Sequence, residues 1–521
     1  MPPRPRLLLC LVLLAAAACG GKEAPPSVEQ DPHDDDGLEL LDPGGASIEV
    51  HTPDADIQER SLPPEGSRNL LLITVDTLRA DHLSCYGYNR PTSPRIDALA
   101  RDGIRFQRAQ SQRSLTWPSL SSILSGRYPR THLVRRNGDR LSPDVPTMPR
   151  ILRAHGWVAA AAAASMKTAP DPGVDVRFAS QSGVSWPEQD RQVTRAAVTW
   201  MEKWSGRPWV LWVHLIGPHD PYAPDPPYRG FFDAGYRGPW NGSRESLERI
   251  TSRRIVLAPE DLAHIAALYD GEIRATDALV GDLLDTLDRT GVRDRTTVVF
   301  TADHGEELYQ RNFYFMHGCS MYDSVLHVPL IIRSPGTLES GRTIAPTVEL
   351  IDIAPTVLPH IGVPFDGAEG INLAPLLAAK PAKGAPSEPW PRSLWDGSGI
   401  TLPDDRFVGG ERFSVAEYRD RILTLRTDTW RYVWNPDEFH PHSSIFRIVE
   451  GDPGYAIARE ELYRTADDPL EKNELSASEP EQARLLREAL LDWASRRGNV
   501  MVPKQMDEAT RNELRSLGYI K

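Results

Sequence analysis

The chain has 521 residues and a formal net charge of −13, from 59 Lys and Arg against 72 Asp and Glu. A chain of this length exceeds what one small hydrophobic core organises, so we expect a large domain and a smaller one. The acidic balance, without a basic stripe, argues against nucleic acid as a partner.

The first 18 residues have the features of an export signal. Arg4 and Arg6 precede an apolar run over residues 7–18, which is too short to cross a bilayer as a helix. The run ends in three alanines and Cys19, a pattern that resembles a bacterial lipobox. It predicts a lipid on Cys19 and a protein at the outer membrane or cell surface, facing the periplasm or the exterior. The alternative is an ordinary cleaved signal peptide.

The next segment and the main domain differ in composition. Residues 19–67 are rich in Pro, Gly and acidic side chains, which predicts a flexible acidic tether. Over residues 68–375, short apolar runs alternate with helical patterns, the longest of them at about 259–290. This alternation predicts an α/β domain whose large, mostly parallel sheet is sandwiched by helices. The apolar runs lie at 70–75, 209–215, 297–302 and 328–332.

The C-terminal part predicts a smaller unit. A Pro- and Ala-rich stretch over 376–393 is typical of a linker. Strand-like runs near 413–415, 422–427 and 431–434 predict a small antiparallel sheet, and apolar spacing over 480–496 predicts a packing helix. We therefore expect an α+β subdomain over 394–500 and a tail over 501–521.

Polar residues follow two of the predicted strands. Asp76 comes after the run 70–75, and Asp303 and His304 come after the run 297–302. In an open α/β sheet, ligands bind beyond the carboxyl ends of the strands. These three residues, with the hydroxyl of Thr116, can share one divalent metal ion. Mn²⁺, Zn²⁺ and Ca²⁺ are candidates, and the imidazole favours the transition metals. For Asp76 alone, a helix N-cap is the alternative.

These segments resemble the sulfatase family of the alkaline-phosphatase-like superfamily, in family order over roughly residues 68–475. The resemblance includes the segment His214–Tyr222, with the pattern His-x-x-x-Pro-His-x-Pro-Tyr. It implies a sulfuric ester hydrolase that uses one metal ion. It also implies that His219 protonates the leaving group, that His317 contacts the ester oxygen and that Asn137 contacts the oxyanion. His214 is expected to be structural support.

The chain departs from the family at the nucleophile. Thr116 stands where sulfatases have the Cys or Ser that becomes formylglycine, and Leu120 stands where they have Arg. Oxidation of a Thr would give a ketone, so formylglycine is not expected, and Thr116 would attack directly. The pairs Asp76-Thr77 and Asp303-His304 look more like relatives that cleave or transfer phosphoesters, such as phosphonate monoester hydrolases.

The sequence thus predicts a metal-dependent hydrolase of sulfate or phosphate esters. Its substrate would be a sulfated or phosphorylated small molecule, glycan or lipid. A phosphoester hydrolase or phosphoryl-group transferase is one alternative, and a protein that binds such glycans without cleaving them is another. Cys85 and Cys319 are the cysteines after Cys19. Whether they pair is open, and two buried thiols are the simpler interpretation.

Overall fold

The computed structural model describes residues 40–41, 47–164, 172–181, 184–253, 255–310, 315, 317–378, 406–418, 421–439 and 457–497. The predicted signal peptide, Cys19, the tail 501–521 and the linker beyond Ala378 lie outside the described residues.

A ten-stranded sheet forms the main domain. Its strands are β1 (Leu40–Leu41), β2 (Ser47–Val50), β3 (Asn69–Val75), β4 (Ile104–Gln110), β5 (Val158–Ala163), β6 (Val176–Ala179), β7 (Trp209–Leu215), β8 (Thr296–Ala302), β9 (His327–Arg333) and β10 (Arg342–Glu349). Their order is β1-β2-β6-β5-β7-β3-β8-β9-β4-β10. The five strands from β6 to β8 run parallel, whereas β9 is antiparallel to both of its neighbours.

Helices cover this sheet. They are α1 (Asp54–Glu59), α2 (Pro94–Asp102), α3 (Thr116–Ser125), α4 (Pro129–His132), α5 (Met148–Ala154), α6 (Trp186–Lys203), α7 (Arg244–Arg253), α8 (Pro259–Arg289), α9 (Asp323–Leu326), α10 (Ile353–His360) and α11 (Ala374–Ala378). Every residue of β3, β7 and β8 is buried, so both faces of the sheet are covered there. The four apolar runs predicted as strands are confirmed, as is the long helix α8.

A second, smaller sheet follows. It contains β13 (Ser414–Tyr418), β14 (Ile422–Arg426), β15 (Trp430–Trp434) and β16 (Glu460–Arg464), all antiparallel, after the short pair β11 (Phe407–Val408) and β12 (Glu411–Arg412). Helix α12 (Pro480–Arg496) packs on it through Leu486, Leu490 and Trp493, which join a separate apolar core. The predicted fold class, a large mostly parallel sheet plus a small antiparallel sheet with its packing helix, is confirmed.

The ordered domain begins earlier than residue 68. Strand β2 pairs with β6, and Ile57 of α1 is fully buried. Arg60 makes two bonds to the buried carboxylate of Asp175, at 2.6 and 2.9 Å. These contacts fix residues that the composition assigned to a flexible tether, because a short strand and one ion pair leave little compositional trace. Among the described residues, no helix is long and apolar enough to cross a membrane.

The structure also answers the cysteine question. No disulfide bond joins Cys85 and Cys319; Cys319 is buried and Cys85 is half-buried.

Candidate active site

The carboxyl ends of three neighbouring strands bring the predicted acidic residues together. Val75 of β3 pairs with Leu215 of β7 on one side and with Ala302 of β8 on the other. Asp76 and Asp303 are therefore the next residues along two adjacent strands. The amide of Asp76 donates to the carbonyl of Leu215 at 2.8 Å, and that of Asp303 donates to Val75 at 3.3 Å. The sheet register thus places the two carboxylates side by side.

Tight turns after both strands aim these side chains. Thr77 has a φ of 55°, an unusual value for a residue with a branched side chain. Its amide donates to Oδ1 of Asp303 at 3.2 Å, and its carbonyl accepts the Tyr269 hydroxyl at 2.7 Å. After β8, a Cβ at Gly305 would lie 2.3 Å from the carbonyl of Ser324, so only glycine fits. Such strained turns are typical of functional sites.

Four side chains converge at this edge. The hydroxyl of Thr116 lies 3.5 Å from Oδ2 of Asp76 and 3.5 Å from Nε2 of His304. The same Nε2 atom lies 3.7 Å from Oδ1 of Asp76 and 3.5 Å from Oδ2 of Asp303. Two ligands at about 2.1 Å from a shared ion lie roughly 3.0–3.5 Å apart. The spacing therefore suits a set of ligands around one cation.

The chemistry of these groups also fits a cation. Among the residues that the structure describes, Oδ1 of Asp76 and Oδ2 of Asp303 are buried without a hydrogen-bond partner. Burial, and then the neighbouring Asp76 carboxylate, raise the pKa of Asp303 well above its usual range. Orphaned carboxylate oxygens in a protein interior are costly unless a positive charge meets them.

His304 is prepared as a neutral ligand. Its Nδ1 lies 2.9 Å from the carbonyl of Gly305, which can only accept, so Nδ1 carries the proton and Nε2 keeps its lone pair. Burial, and then the nearby His317, lower the pKa of His304 to about 3. The ring therefore stays neutral at physiological pH, as metal coordination requires.

His214 joins the same group, which the sequence did not predict. One ligand atom each from Asp76, His214 and Asp303 lie within 4.8 Å of one another. Nε2 of His214 lies 3.8 Å from Oδ2 of Asp76, and its Nδ1 lies 2.9 Å from the hydroxyl of Thr74. The signal that could have indicated His214 as a ligand is its position near the carboxyl end of β7, the strand next to the one that Asp76 follows.

Thr116 is the first residue of α3, and only 4 % of it is exposed. The amino end of a helix carries partial positive charge and stabilises a nearby anion. The side chain of Asn137 reaches this helix end, because its Oδ1 accepts the amide of Trp117 at 3.0 Å. The structure thus places Asn137 beside the proposed nucleophile, with its carbonyl oxygen occupied and its amide NH₂ as the group left for a ligand.

His219 and His317 form the second part of the site. The ring of His317 lies 4.8 Å from that of His219 and 4.7 Å from that of His304, centroid to centroid. Burial lowers the pKa of His219, but the carboxylates of Asp220 and Asp76 outweigh it and raise the pKa above the ordinary value. By contrast, burial and then His219 lower the pKa of His317 to about 4. One ring is therefore poised to hold a proton and the other to stay neutral.

Two polar side chains near Asn137 in the sequence, those of His132 and Arg136, make their contacts elsewhere. The buried ring of His132 contacts the Ser122 hydroxyl at 3.0 Å and accepts the amide of Val134 at 3.1 Å, so it braces the chain after α4. Arg136 lies 3.7 Å from Asp139 on the surface. Neither of these contacts involves the converging carboxylates.

Comparison of the sequence with known proteins identifies the family of the chain. A profile of the family described as Sulfatase matches residues 68–363. Arylsulfatase K of Gallus gallus is 27 % identical over 455 residues, covering 75 % of this chain and 79 % of its own.

Solved structures share the fold. One is BT4656 in complex with its substrate D-glucosamine-2-N,6-O-disulfate, at a TM-score of 0.63 and 19 % identity, covering 84 % of this chain and 100 % of the other. Another is the phosphonate monoester hydrolase of Agrobacterium radiobacter, at a TM-score of 0.61 and 20 % identity, covering 82 % and 96 %. At these identities the likeness shows the fold.

Proposed function

Because the chain belongs to the sulfatase family, we propose that it is a metal-dependent hydrolase of sulfate or phosphate esters with Thr116 as its nucleophile. The observation that carries this proposal is the convergence of the Thr116 hydroxyl with Asp76 and His304 at 3.5 Å. An ordinary helix-capping Thr would contact backbone amides, whereas this hydroxyl meets a buried carboxylate and a neutral imidazole.

Asp76, Asp303 and His304 would hold one divalent ion, with the Thr116 oxygen as a further ligand and His214 within reach. The two orphaned carboxylate oxygens and the lone pair of Nε2 on His304 are the donors that fit it. When bound, the ion would supply positive charge next to the Thr116 hydroxyl and lower its pKa. The nitrogen ligands favour Mn²⁺ or Zn²⁺ over Ca²⁺.

The reaction by this chain would have two stages. In the first, the Thr116 hydroxyl releases its proton to water, its oxygen bonds to sulfur or phosphorus, and the bond from that atom to the leaving oxygen breaks. The amino end of α3 and the amide of Asn137 offset the negative charge on the transferred group. His219 gives its proton to the leaving oxygen, and the Asp220 and Asp76 carboxylates, which outweigh burial and raise its pKa, favour the protonated ring.

In the second stage, water must cleave the ester on Thr116. A formylglycine hydrate releases sulfate by internal collapse, but a plain Thr ester has no such route. Phosphoester turnover through Thr116 is therefore easier to justify than sulfate turnover. A phosphoryl-group transferase would pass the same group to an acceptor other than water.

A non-catalytic binder is the second candidate function. The Leu at position 120, in place of the family's Arg, removes one cation from the anion site and favours it. The raised pKa of His219 argues for catalysis, because a protein that only binds an ester has no use for a leaving-group acid.

The test is turnover by the purified full chain of an aryl sulfate and an aryl phosphodiester, with Mn²⁺, Zn²⁺ or Ca²⁺ added. Thr116→Ala should lose at least about 10³-fold in kcat. Thr116→Ser keeps the hydroxyl and serves as the matched control. Full activity in Thr116→Ala would refute the nucleophile, and metal binding without turnover of either ester would favour the binder.

As the sequence predicts, we propose that the substrate is a sulfated or phosphorylated small molecule, glycan or lipid. Export and a lipid on Cys19 stay predictions, because they concern residues outside the described part of the chain. A lipid there would hold the enzyme at a membrane surface, near glycans and lipids of that surface.

A further inference from the structure

Two buried side chains hydrogen-bond to the backbone of the loop that carries His219. The loop leaves β7 after Leu215 and continues through Gly217 to Ala223. Asp190 of α6 and Thr276 of α8 both contact Gly217, and they are only 2 % and 3 % exposed. Neither of them has a role in the ester chemistry described above.

Gly217 has both of its backbone polar groups fixed, each from a different helix. Oδ2 of Asp190 accepts the Gly217 amide at 2.9 Å, and Oδ1 accepts the amide of Ile216 at 2.8 Å. The Thr276 hydroxyl donates to the Gly217 carbonyl at 3.0 Å. A carboxylate that takes two successive amides fixes the orientation of the peptide between them, because its hydrogen bonds are charge-assisted and directional.

The approach is close enough to require glycine. A Cβ at Gly217 would lie 2.9 Å from the Thr276 hydroxyl oxygen and 3.3 Å from Oδ2 of Asp190. Any side chain there would push the loop away from both helices. Because Gly217 has no side chain, Asp190 of α6 and Thr276 of α8 can hydrogen-bond directly to its backbone.

Further hydrogen bonds connect this fixed backbone to the imidazole of His219. The amide of His219 donates to the carbonyl of Ile216 at 2.9 Å, so the turn begins at the residue that Asp190 holds. Nδ1 of His219 lies 2.7 Å from the carbonyl of Asp220, whose oxygen also accepts the Trp186 indole at 3.0 Å. With Nδ1 engaged, Nε2 is the nitrogen that remains for the substrate.

We propose that Asp190 and Thr276 are positioning residues that fix the backbone of Gly217 and so hold His219 where it protonates the leaving group. The inference rests on the proposed function, which gives His219 that role. No Lys or Arg forms an ion pair with Asp190 in the described part of the chain, so backbone amides are its partners. Burial raises the pKa of Asp190 to about 7, which shows that holding a carboxylate here is costly.

The test compares Asp190→Asn and Thr276→Val with Glu202→Gln, a change at an exposed position of the same helix α6. Each variant is assayed with a phenyl ester and a 4-nitrophenyl ester of the same type, either two aryl sulfates or two aryl phosphodiesters, whichever the unaltered chain cleaves. We expect kcat on the phenyl ester to fall about 10- to 100-fold in the first two variants, and on the 4-nitrophenyl ester less than about 3-fold. The reason is that 4-nitrophenolate leaves without a proton. Equal losses on both esters would overturn the proposal.

Hydrogen exchange of the substrate-free protein gives a reading that does not depend on turnover. The amides of Ile216 and Gly217 should exchange at least about 10-fold faster in Asp190→Asn than in Glu202→Gln. Unchanged exchange would overturn the proposal whatever the kinetics show. If the unaltered chain cleaves neither ester, the proposed function fails and the role in positioning an acid is withdrawn with it, while faster exchange would still show that Asp190 holds the loop.

Discussion

Two clusters of buried acidic side chains lie at the carboxyl edge of the same sheet, and they are built in opposite ways. The edge cluster is Asp76, Asp303 and His304. The interface cluster is Glu349, Asp352, Arg406 and Arg412, at the end of β10 and against the start of the small sheet. In the interface cluster, Arg412 meets both oxygens of Asp352 at 2.8 and 3.0 Å, and Arg406 bonds to Glu349. In the edge cluster, two carboxylate oxygens have no hydrogen-bond partner among the described residues.

The difference shows how to separate a site from a structural ion cluster. All four charged groups of the interface cluster are essentially fully buried, so burial does not distinguish the two. The partners differ: guanidinium groups complete the interface cluster, whereas the ion-pair partners of Asp76 and Asp303 among the described residues are histidines. An acid cluster completed by arginine stabilises the junction of the two sheets. Under the proposed function, a divalent cation from solution would meet the orphaned oxygens of the edge cluster.

The largest expected effect comes from the same Asp→Asn change made in both clusters. Asp303→Asn should reduce kcat at least about 10³-fold, because it removes a ligand charge. With a chelator at pH 8, its free energy of unfolding should rise, because the fold of the unaltered chain favours a protonated Asp303 that the unfolded chain ionises, and Asn has no proton to release. Asp352→Asn should instead lower the free energy of unfolding by about 3–5 kcal/mol, because it breaks the bidentate pair with Arg412.

Urea denaturation of both variants and the unaltered chain measures these changes. The comparison between the clusters fails if the two substitutions change stability with the same sign. Asp285→Asn, at a surface position of α8 where the side chain is half exposed, is the control for the substitution itself.

Metal binding should give the next largest effect. A ligand that binds only the folded chain stabilises it by about 4 kcal/mol at a concentration 1,000 times its Kd. We therefore expect Mn²⁺ or Zn²⁺ to raise the Tm of the chelated protein, and Asp303→Asn to abolish most of that rise. Asp352→Asn, although less stable, should keep the full rise. Thermal unfolding with and without added ion makes the measurement, and an equal rise in both variants would contradict a site at the edge cluster.

The sequence predicted the edge cluster because its signals are local. An apolar run followed by Asp is enough to place Asp76 at a strand end, and the same holds for Asp303 and His304. The interface cluster has a similar local pattern, since Glu349 ends strand β10 and Asp352 follows it. Its arginines come about sixty residues later, and only the fold brings them there. Local patterns therefore suggest acids at the sheet edge but do not tell which are paired.

Elements that the sequence missed show the same limit. Strand β5 reads Val-Ala-Ala-Ala-Ala-Ala, and alanine favours helices. It is a strand because it lies between β6 and β7 with every residue buried, where small side chains let helices pack closely. The sequence predicts only structural support for His214, because it does not show that β7 neighbours β3. Tertiary context decided both cases.

The smallest expected effect concerns a buried acid that belongs to neither cluster. Glu272 of α8 accepts the amide of Ala223 at 3.0 Å, and burial, then the Asp190 carboxylate, raise its pKa to about 8. Asp225 adds to this rise, and Arg229 opposes it. The folded chain therefore keeps a proton that the unfolded chain releases above its usual carboxyl pKa of about 4.5. Because the folded state binds more protons in this window, stability falls as pH rises from about 4.5 to 8.

Glu272→Gln keeps the acceptor oxygen but does not titrate. Relative to the unaltered chain, this variant should gain on the order of 2 kcal/mol in free energy of unfolding between pH 5 and pH 8, and nothing below pH 4. Urea denaturation across that range measures the difference. If the gain in free energy of unfolding did not change with pH, Glu272 would be ionised in the folded chain. A cation would then have to pair with it, as the arginines pair with the acids of the interface cluster. A gain that grows with pH would show that a buried acid without a cation keeps its proton, which is the behaviour that bound metal should suppress at Asp303.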